Sequence, residues 1–552
     1  MTVSVADKVP GGAKTQDRGS VREVDVTIIG GGLAGLTLAI QVRQACPDAS
    51  IVVLERQPHP VPVSAHKIGE STVEIGAHYL AKTIGLDQHL KQQHLKKFGL
   101  RLFFGGHGQA DPARRLHQLD EIGASYPLPA LSYQLDRGIL ENHMGRLLGE
   151  RGIEFLDAHV VRQIQLDENG GRHRVTAHGP ERERQFLTRW VIDAGSRGGP
   201  LRRKLTLAQP SPLKNHAAWF RLEDRIDVES LESEREWLSR CQPGKRWLST
   251  NHFMGPGYWI WIIPLAPGHT SVGVVADSSM HEYGKFATYE STLAWIAANN
   301  PVASNIVQPA SRGLMDFTRL RNFSHDAKQL FSANRWALTG EAGVFLDPFY
   351  SPGSDFIAIS NTLITKLVAT DLKGQPIKRL APGLEAVYRS FYRNSLLLYE
   401  DQYPGFGDFR LQSAKTTWDY IYYWGILCQL FFSDMVDDPG AIARTSGSLL
   451  RAQSLNRSQQ QVFARVAAGQ DSQEPAGRFL DQCSIPSLVE LNQALTAADN
   501  SPEQAMHRLS LGADLLERVA VPMQEMLKPG HSSHSVWGSE VLDCLGGLAA
   551  VR

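Results

Sequence analysis

Residues 24–35 read VDVTIIGGGLAG, a short β-branched run that breaks into glycines and then into the helical pattern LTLAIQVRQA. A strand, a tight turn and a helix N-terminus in this order bring unpaired backbone N–H groups and the positive end of the helix dipole to one point. Gly30, Gly32 and Gly35 match the spacing GxGxxG. The stretch therefore predicts a site for the pyrophosphate of a dinucleotide.

A carboxylate follows at the distance that such a site requires. A second apolar strand, SIVVLE at residues 50–55, comes after the helix and ends in Glu55, about 20 residues beyond Gly35. A carboxylate there can accept hydrogen bonds from both ribose hydroxyls, which favours FAD or NAD over NADP. A solvated strand end is the alternative interpretation of Glu55.

Length and charge limit the class of protein. The 552 residues exceed a single hydrophobic core, so about two or three domains, or one large layered unit with insertions, are expected. Lys and Arg together number 57, as do Asp and Glu. This balance gives no basic field that would attract nucleic acid or an anionic membrane.

The cysteines and the N-terminal residues favour a cytoplasmic protein. The cysteines are scattered without a CxxC pair, which argues against a disulfide framework, a metal site and a dithiol redox centre. Residues 1–22 are polar and lack the apolar region of a signal peptide, so a disordered tail is expected. No run of about 18 uncharged apolar residues occurs, which excludes an ordinary membrane-spanning helix.

The pattern along the chain predicts how these parts are arranged. Residues 23–205 form the first part of a dinucleotide-binding unit, in which Asp193 ends an apolar strand and gives a second close approach of backbone to the cofactor. Residues 206–330 are strand-rich and form an inserted, substrate-side sheet. Residues 331–375 return to the dinucleotide-binding unit, and residues 376–552 are helical.

One helical stretch, residues 416–432, is dense in aromatic side chains (TTWDYIYYWGILCQLFF). It is either the buried spine of the C-terminal region or the wall of a pocket for an aromatic substrate. A membrane-surface helix is less favoured, because the stretch contains no lysine or arginine.

Several motifs, taken together and in this order, resemble those of the flavin-dependent halogenases. They are GGGLAG (30–35), KIGEST (67–72), Asp136-Arg137, Asp193-Ala194-Gly195, WIWIIP (259–264) and FLDPFYSPG (345–353). The resemblance covers residues 24–375. WxWxIP is its specific part, since GxGxxG and the DPxxSxG loop also occur in the wider superfamily of single-component hydroxylases and reductases.

The resemblance implies an α/β (α+β) fold. It consists of a para-hydroxybenzoate-hydroxylase-like FAD domain with an inserted mixed β-sheet, followed by a helical C-terminal domain. It also implies a set of residues that bind FAD, namely Gly30, Gly32, Ala34, Gly35, Glu55, Lys67, Gly69, Glu70, Ser71, Arg137, Asp193, Gly340, Glu341 and Gly353.

The implied activity is that of a two-component enzyme of secondary metabolism. A separate reductase supplies reduced flavin, oxygen and halide then give hypohalous acid, and a lysine directs it to an electron-rich ring. Lys97 matches the directing lysine, and Lys67 is its rival. Trp259 and Trp261 would lie along the flavin and impede ordinary hydroxylation. Ser351, Pro352, Gly353 and Ser354 match the halide loop.

Three departures from the family's pattern bear on the reaction. Glu341 stands where the family usually has aspartate. Its side chain is longer but would reach the same ribityl-pyrophosphate region of FAD. Tyr350 replaces the glutamate that precedes the loop serine in tryptophan-type members, which favours a phenol-like or pyrrole-like ring, free or held by a carrier protein. Pro352 has no N–H to donate to halide.

The departures leave other functions open. A related flavin-dependent monooxygenase or dehydrogenase that does not halogenate is the second hypothesis. A flavin-binding protein without turnover is the third, and it predicts that Lys97 points into solvent beside a closed pocket.

Overall fold

The computed structural model describes residues 21–63, 69–108, 110–111, 113–469, 474–498, 501–528 and 539–548. Residues 1–20 of the predicted tail (residues 1–22) and Lys67 lie outside the described residues, and Arg22, at the end of that predicted tail, already belongs to the first strand. The strands, in chain order, are β1 (Arg22–Ile29), β2 (Ile51–Leu54), β3 (Leu95–Lys96), β4 (Leu100–Phe104), β5 (Asp120–Gly123), β6 (Tyr133–Gln134), β7 (Glu154–Leu156), β8 (Val160–Gln165), β9 (His173–His178), β10 (Glu183–Asp193), β11 (Ala208–Pro210), β12 (Asn215–Leu222), β13 (Thr250–Gly255), β14 (Tyr258–Pro264), β15 (Thr270–Asp277), β16 (Leu314–Leu320), β17 (His325–Ala327), β18 (Phe331–Ser332), β19 (Trp336–Leu338) and β20 (Phe479–Asp481).

The helices, in chain order, are α1 (Leu33–Ala45), α2 (Glu74–His78), α3 (Asp87–Gln93), α4 (Arg137–Glu150), α5 (Pro200–Lys204), α6 (Arg235–Ser239), α7 (Tyr289–Asn299), α8 (Pro301–Val307), α9 (Gly353–Leu372), α10 (Leu380–Leu396), α11 (Phe409–Tyr422), α12 (Cys428–Phe432), α13 (Pro439–Ala467), α14 (Pro486–Ala494), α15 (Pro502–Met526) and α16 (Ser539–Cys544). Single π-helical turns extend α2 at Tyr79–Thr83 and join α11 to α12 at Tyr423–Leu427.

The first sheet confirms the predicted strand, turn and helix at the N-terminus. Its strands run in the order β18-β19-β10-β1-β2-β7, with β9 and β8 continuing as hairpins beside β10. β1 pairs in parallel with β10 and with β2, so that Val26 faces Trp190 on one side and Ile51 on the other. Residues 33–42 of α1 are all buried, because α1 packs against both α4 and α9.

The second sheet is mixed, as the family resemblance implies. Its strands run in the order β16-β12-β15-β14-β13-β4-β5-β20, mostly antiparallel, with parallel pairing of β13 with β4 and of β20 with β5. The sheet reaches beyond the predicted segment 206–330, because β4, β5 and β20 come from residues 100–104, 120–123 and 479–481.

Strand β14 carries the tryptophan motif and is buried on both faces. Trp259, Trp261 and Ile263 join the main hydrophobic core, whereas Tyr258, Ile260 and Ile262 pack into a second core. This alternation follows from the two-residue period of a strand. The predicted tryptophan face is therefore the one that looks toward the dinucleotide-binding unit.

The aromatic stretch at residues 416–432 forms α11, the π turn and α12 within the C-terminal helices. Trp418 is fully buried, and its Nε1 donates a hydrogen bond to Asn456 Oδ1 on α13 at 3.0 Å. Trp418 thus belongs to the spine of this region. None of the helices that the structure describes is long and apolar enough to cross a bilayer.

The topology brings the predicted site residues to one edge of the first sheet. Gly30, Asp193 and Gly340 stand at or just after the carboxyl ends of β1, β10 and β19, which are neighbouring parallel strands. In open α/β sheets, ligands bind outside this end of the strands.

Candidate functional site

The glycine turn after β1 has two kinds of glycine. Gly30 has φ +112°, and a Cβ there would lie 2.6 Å from the Ala194 carbonyl oxygen. A Cβ on Gly35 would overlap the Gly30 carbonyl oxygen. A Cβ on Gly32, in contrast, would meet nothing within 4 Å. Gly30 and Gly35 therefore let the chain pack, whereas Gly32 leaves open space at the N-terminus of α1, where a pyrophosphate would lie.

The Glu55 carboxylate lies beside this turn. Its Oε2 accepts a hydrogen bond from the Gly31 N–H at 2.5 Å, and its Oε1 accepts one from the Gln57 N–H at 2.8 Å. Glu55 is half-buried, and its side chain is held at the turn rather than in solvent. The turn and Glu55 together fit the phosphates and the ribose of a dinucleotide.

The turn after β19 closes the same site from the other side. Gly340 has φ +58°, and a Cβ there would come within 2.8 Å of the Ala34 Cβ on α1. The Glu341 side chain is exposed, and its carbonyl oxygen accepts a hydrogen bond from His325 Nε2 at 2.8 Å. Ala34 and Gly340 thus pack α1 against this turn.

Asp193 is buried and its carboxyl is engaged within the chain. It accepts hydrogen bonds from the N–H groups of Gly195 (3.1 Å) and Leu201 (3.0 Å), and so caps α5. Burial raises the pKa of Asp193 to about 6. The Asp193 carboxyl therefore holds the loop after β10 in place. This structural role was not part of the expectation, which placed Asp193 at the flavin.

Glu70 and Arg137 lie in a region of buried and half-buried polar side chains. Arg137 Nη2 donates to Glu141 Oε1 at 2.6 Å, and Gly69, with φ +93°, passes close to the guanidinium. Arg221 on β12 bridges Glu70 Oε1 (2.6 Å) and Asp136 Oδ2 (3.0 Å). Sequence reasoning missed Arg221, because a lone arginine in a strand carries no motif.

Lys97 is buried and points inward. Its Nζ donates hydrogen bonds to Ser71 Oγ and to the Thr72 carbonyl oxygen, both at 2.9 Å. No carboxylate of the described residues lies within 4 Å of this nitrogen. Burial lowers the pKa of the Lys97 ammonium, and the nearby carboxyls of Glu74 and Asp355 oppose that shift. Lys97 is thus a desolvated lysine whose ammonium form keeps one N–H beyond the two donated to Ser71 and Thr72.

The tryptophan pair is tied to the loop after β19. The rings of Trp259 and Trp261 lie 5.5 Å apart at 40°. Trp259 Nε1 donates to the Tyr403 hydroxyl at 3.0 Å, and that hydroxyl in turn donates to Asp347 Oδ2. Asp347 belongs to the FLDPFYSPG loop, so the loop and β14 are coupled through Tyr403. Tyr403 lies in the C-terminal region and carried no sequence signal.

His252 on β13 packs against the same group of rings. It lies 5.1 Å from Trp259 and 5.4 Å from Phe349 between ring centroids. Its Nδ1 is buried without a hydrogen-bond partner, and burial lowers the pKa of its imidazole well below the usual value. His252 is therefore a neutral side chain close to Lys97, which also lowers its pKa.

The predicted halide loop leads directly into α9. Ser351 has φ +58°, Pro352 is the residue before the helix, and Gly353 begins it. Within the described ranges, neither the Gly353 N–H nor the Ser354 N–H has a hydrogen-bond acceptor, as is usual in the first turn of a helix. Ser354 Oγ is also buried without a partner. The loop keeps two N–H groups that could face an anion, but Pro352 cannot add a third.

Tyr350 anchors this loop to the C-terminal helices. Its hydroxyl donates to Asp419 Oδ2 at 2.8 Å, and Lys415 Nζ donates to the same oxygen at 2.8 Å. Lys415 and Asp419 are both buried. The tyrosine that replaces the family's glutamate is therefore occupied by a structural contact.

A small cavity lies beside Lys97. It has a volume of about 30 Å³ and is lined by Glu74, Lys97, Phe98, Leu131, Tyr420 and Trp424, among others. The rings of Tyr420 and Trp424 stack at 4.4 Å. The aromatic stretch therefore provides both the spine, through Trp418, and the wall of a cavity. Within the described ranges, no group of His, Cys, Asp or Glu side chains could hold a metal ion.

Comparisons with known proteins agree with this geometry. Residues 23–268 match the family model described as FAD binding domain. The chain is 24% identical over 528 residues to the flavin-dependent halogenase chlA of Dictyostelium discoideum, covering 87% of this chain and 84% of that protein. It is 26% identical over 358 residues to the 1H-pyrrole-2-carbonyl-(peptidyl-carrier protein) chlorinase of Pseudomonas fluorescens, covering 60% of this chain and 73% of the relative.

A solved structure shares the fold along nearly the whole chain. Halogenase PltM in complex with phloroglucinol and FAD superposes with a TM-score of 0.63 at 16% identity, covering 93% of this chain and 100% of that structure. The comparisons confirm the resemblance to flavin-dependent halogenases, the α/β fold with a helical C-terminal region, and FAD as the dinucleotide.

The two kinds of glycine predict different outcomes of substitution. Gly32→Val should leave a folded protein without bound FAD, because the side chain enters the open space at the N-terminus of α1. Gly35→Val should prevent folding, because its Cβ overlaps the Gly30 carbonyl. Flavin absorbance and far-UV circular dichroism of the purified variants measure both effects. A Gly32→Val protein with wild-type flavin occupancy would show that the FAD site lies elsewhere.

Proposed function

We propose that this FAD-dependent oxidoreductase, a relative of the flavin-dependent halogenases, halogenates an electron-rich aromatic ring of the phenol or pyrrole type. The observation that carries the proposal is the buried Lys97, which lies in one neighbourhood with the loop before α9 and with the cavity of aromatic walls. When bound and reduced, FAD would supply two of the four electrons that oxygen takes up, and halide would supply the other two as it is oxidised to hypohalous acid.

Lys97 is proposed to direct the halogen. Its Nζ keeps Ser71 Oγ and the Thr72 carbonyl oxygen as acceptors and is not neutralised by a carboxylate within 4 Å. Such a nitrogen can donate an N–H to hypohalous acid and hold it toward the cavity. Because burial lowers the pKa of Lys97, the neutral amine is also accessible, which an exposed lysine would not offer near pH 7.

Halide is proposed to bind at the N-terminus of α9. This helix is 20 residues long, and the free N–H groups of Gly353 and Ser354 stand at its positive end. Asp355, one residue further, would repel an anion if it were ionised. Burial raises the pKa of Asp355 to about 7, which favours its neutral form below that pH. The loop thus retains an anion site that Pro352 has weakened.

The substrate and the partners are inferred from the same region. Tyr350 donates to Asp419 and cannot act as the glutamate of tryptophan-type enzymes, which supports a phenol-like or pyrrole-like ring. One relative acts on a pyrrole group attached to a peptidyl-carrier protein, so a carrier-bound substrate is one form to test. The sequence contains a single dinucleotide fingerprint, so a separate reductase is proposed to supply reduced flavin.

Pro352 favours a second candidate function, a related monooxygenase or dehydrogenase that needs no halide. A flavin-binding protein without turnover would have a solvent-facing Lys97, whereas this lysine is buried.

Lys97→Ala should separate flavin chemistry from halogenation. The variant should reoxidise reduced flavin at the wild-type rate but give at least about a hundredfold less halogenated product, since an acid–base group contributes roughly 10²–10⁴ in rate. Mass spectrometry of turnovers with reduced FAD, oxygen, bromide and a panel of phenols measures the product. Lys91→Ala, a surface lysine paired with Asp87, is the matched control. Equal product from Lys97→Ala and wild type would exclude the proposed role.

Pro352→Thr should strengthen the dependence on halide. The substitution restores one N–H donor, and a hydrogen bond to a charged group is worth about 1.5–3 kcal/mol, so KM for bromide should fall roughly 10- to 100-fold if the loop keeps its conformation. Pro352→Ala should act in the same direction, because it restores the same N–H without a hydroxyl. A wild-type enzyme that converts substrate equally well with and without halide would exclude halogenation and favour the second candidate function.

The purified chain should not oxidise NADH or NADPH by itself. The absorbance of the reduced nicotinamide, followed with FAD and oxygen present, should fall only after a flavin reductase is added. Rapid NADH consumption without a reductase would contradict the two-component proposal.

A further inference from the structure

The cavity beside Lys97 contains two polar atoms that lack partners. Glu74 begins α2 and is only 8% exposed, and Trp424 in the π turn is 1% exposed. Glu74 Oε2 and Trp424 Nε1 are both buried and make no hydrogen bond of normal geometry, although the Trp424 indole lies near enough to Glu74 to lower the pKa of its carboxyl. Both residues line the cavity. A buried acceptor or donor without a good partner is destabilising, so a polar group in the cavity, either water or a ligand hydroxyl that displaces it, is expected to satisfy both atoms.

Glu74 lies close to Trp424 and to Lys97 without being neutralised by the lysine. Burial raises the pKa of the Glu74 carboxyl, whereas the Trp424 side chain and the Lys97 charge oppose that rise. The Glu74 carboxylate and the Lys97 ammonium do not approach within 4 Å, since Lys97 donates instead to Ser71 and to the Thr72 carbonyl. An acceptor and two donors thus surround one small space.

The size of the cavity matches one polar group. A volume of about 30 Å³ admits a water molecule or a hydroxyl but not an aromatic ring. Leu128 and Leu131 line the same cavity and are half-buried on the segment between β5 and β6. They form an apolar part of the cavity wall, and for a ring to enter behind its hydroxyl these two side chains would have to move outward.

We propose that Glu74 and Trp424 bind the hydroxyl group of a phenolic substrate. The phenol oxygen accepts the Trp424 Nε1–H, and the phenol O–H donates to Glu74 Oε2. A pyrrole N–H could donate to Glu74 but has no lone pair for Trp424, so the pair selects phenols over pyrroles. This inference rests on the proposed function for the identity of the ring.

Glu74 also has a chemical role under this proposal. The phenol O–H bond breaks as its proton passes to Glu74 Oε2, where a new O–H bond forms, and the ring is left as a phenolate. The step changes no oxidation state and needs no further reactant. Phenolate is more electron-rich than phenol, so the ring reacts faster with the halogen that Lys97 directs.

Binding of matched probes tests the subsite without turnover. Calorimetry on the FAD-loaded protein should give resorcinol an affinity about tenfold or more above that of 1,3-dimethoxybenzene and of pyrrole. Glu74→Gln and Trp424→Phe should each lower the affinity for resorcinol about tenfold and leave that for the dimethyl ether unchanged. Glu290→Gln, an exposed acidic residue in the first turn of α7, is the matched control.

Turnover with bromide distinguishes this inference from the proposed function. Glu74→Gln should reduce kcat for brominated resorcinol at least about tenfold while flavin reoxidation stays at the wild-type rate. Equal rates of bromination of resorcinol and 1,3-dimethoxybenzene would overturn the phenol subsite but not the proposed halogenation. The same holds if the ratio of these two rates is unchanged in Glu74→Gln and Trp424→Phe. Selective binding of resorcinol that depends on Glu74, with no brominated product from any ring, would retain the subsite and reject halogenation.

Discussion

The close approach of helix α1 to the end of strand β1 is the constraint on which the site depends. The Gly35 Cα packs against the Gly30 carbonyl, and Gly30 in turn packs against the Ala194 carbonyl at the end of β10. These contacts admit no side chain, so the helix N-terminus stands directly at the edge of the sheet. Three features therefore meet at this edge of the sheet. They are the free N–H groups of the helix N-terminus, the Glu55 carboxylate and the turn at Gly340.

The second sheet is held against this unit by buried charge rather than by apolar packing alone. Arg221 joins Glu70, from the loop before α2, to Asp136, the cap of α4. Removing one member of such a cluster leaves an uncompensated charge in the interior, which costs several kcal/mol, about 3–5 by analogy with other buried pairs. The cluster therefore favours a single placement of β12 and of the tryptophan strand β14 relative to the FAD-binding unit.

Local motifs made the FAD-binding half predictable from sequence. The run at Val24–Gly35, the spacing to Glu55 and the tryptophan alternation on β14 depend on neighbours in the chain, and the structure contains all three as expected. The partners of these residues could not be read in the same way. Tyr403, His252 and Arg221 come from distant segments and carry no motif, and β20 joins the second sheet from residue 479 onward. The roles assigned to Lys97 and to the halide loop remain predictions, although the structure shows that Lys97 is buried.

The hydrogen bond from Tyr350 to Asp419 restricts how the two halves of the chain can diverge. The walls of the cavity at Tyr420 and Trp424 belong to the C-terminal helices, whereas Lys97 and the FAD-binding turn belong to the N-terminal part. A chimera that exchanges residues 376–552 for those of a relative would thus change this wall of the cavity and keep the FAD-binding turn and Lys97. Such a graft must still bring a hydrogen-bond acceptor at the position of Asp419, since otherwise the Tyr350 hydroxyl would be stranded in the interior. Recombination between relatives is therefore expected to require a match at these two positions and at Tyr403, whose hydroxyl joins Trp259 to Asp347.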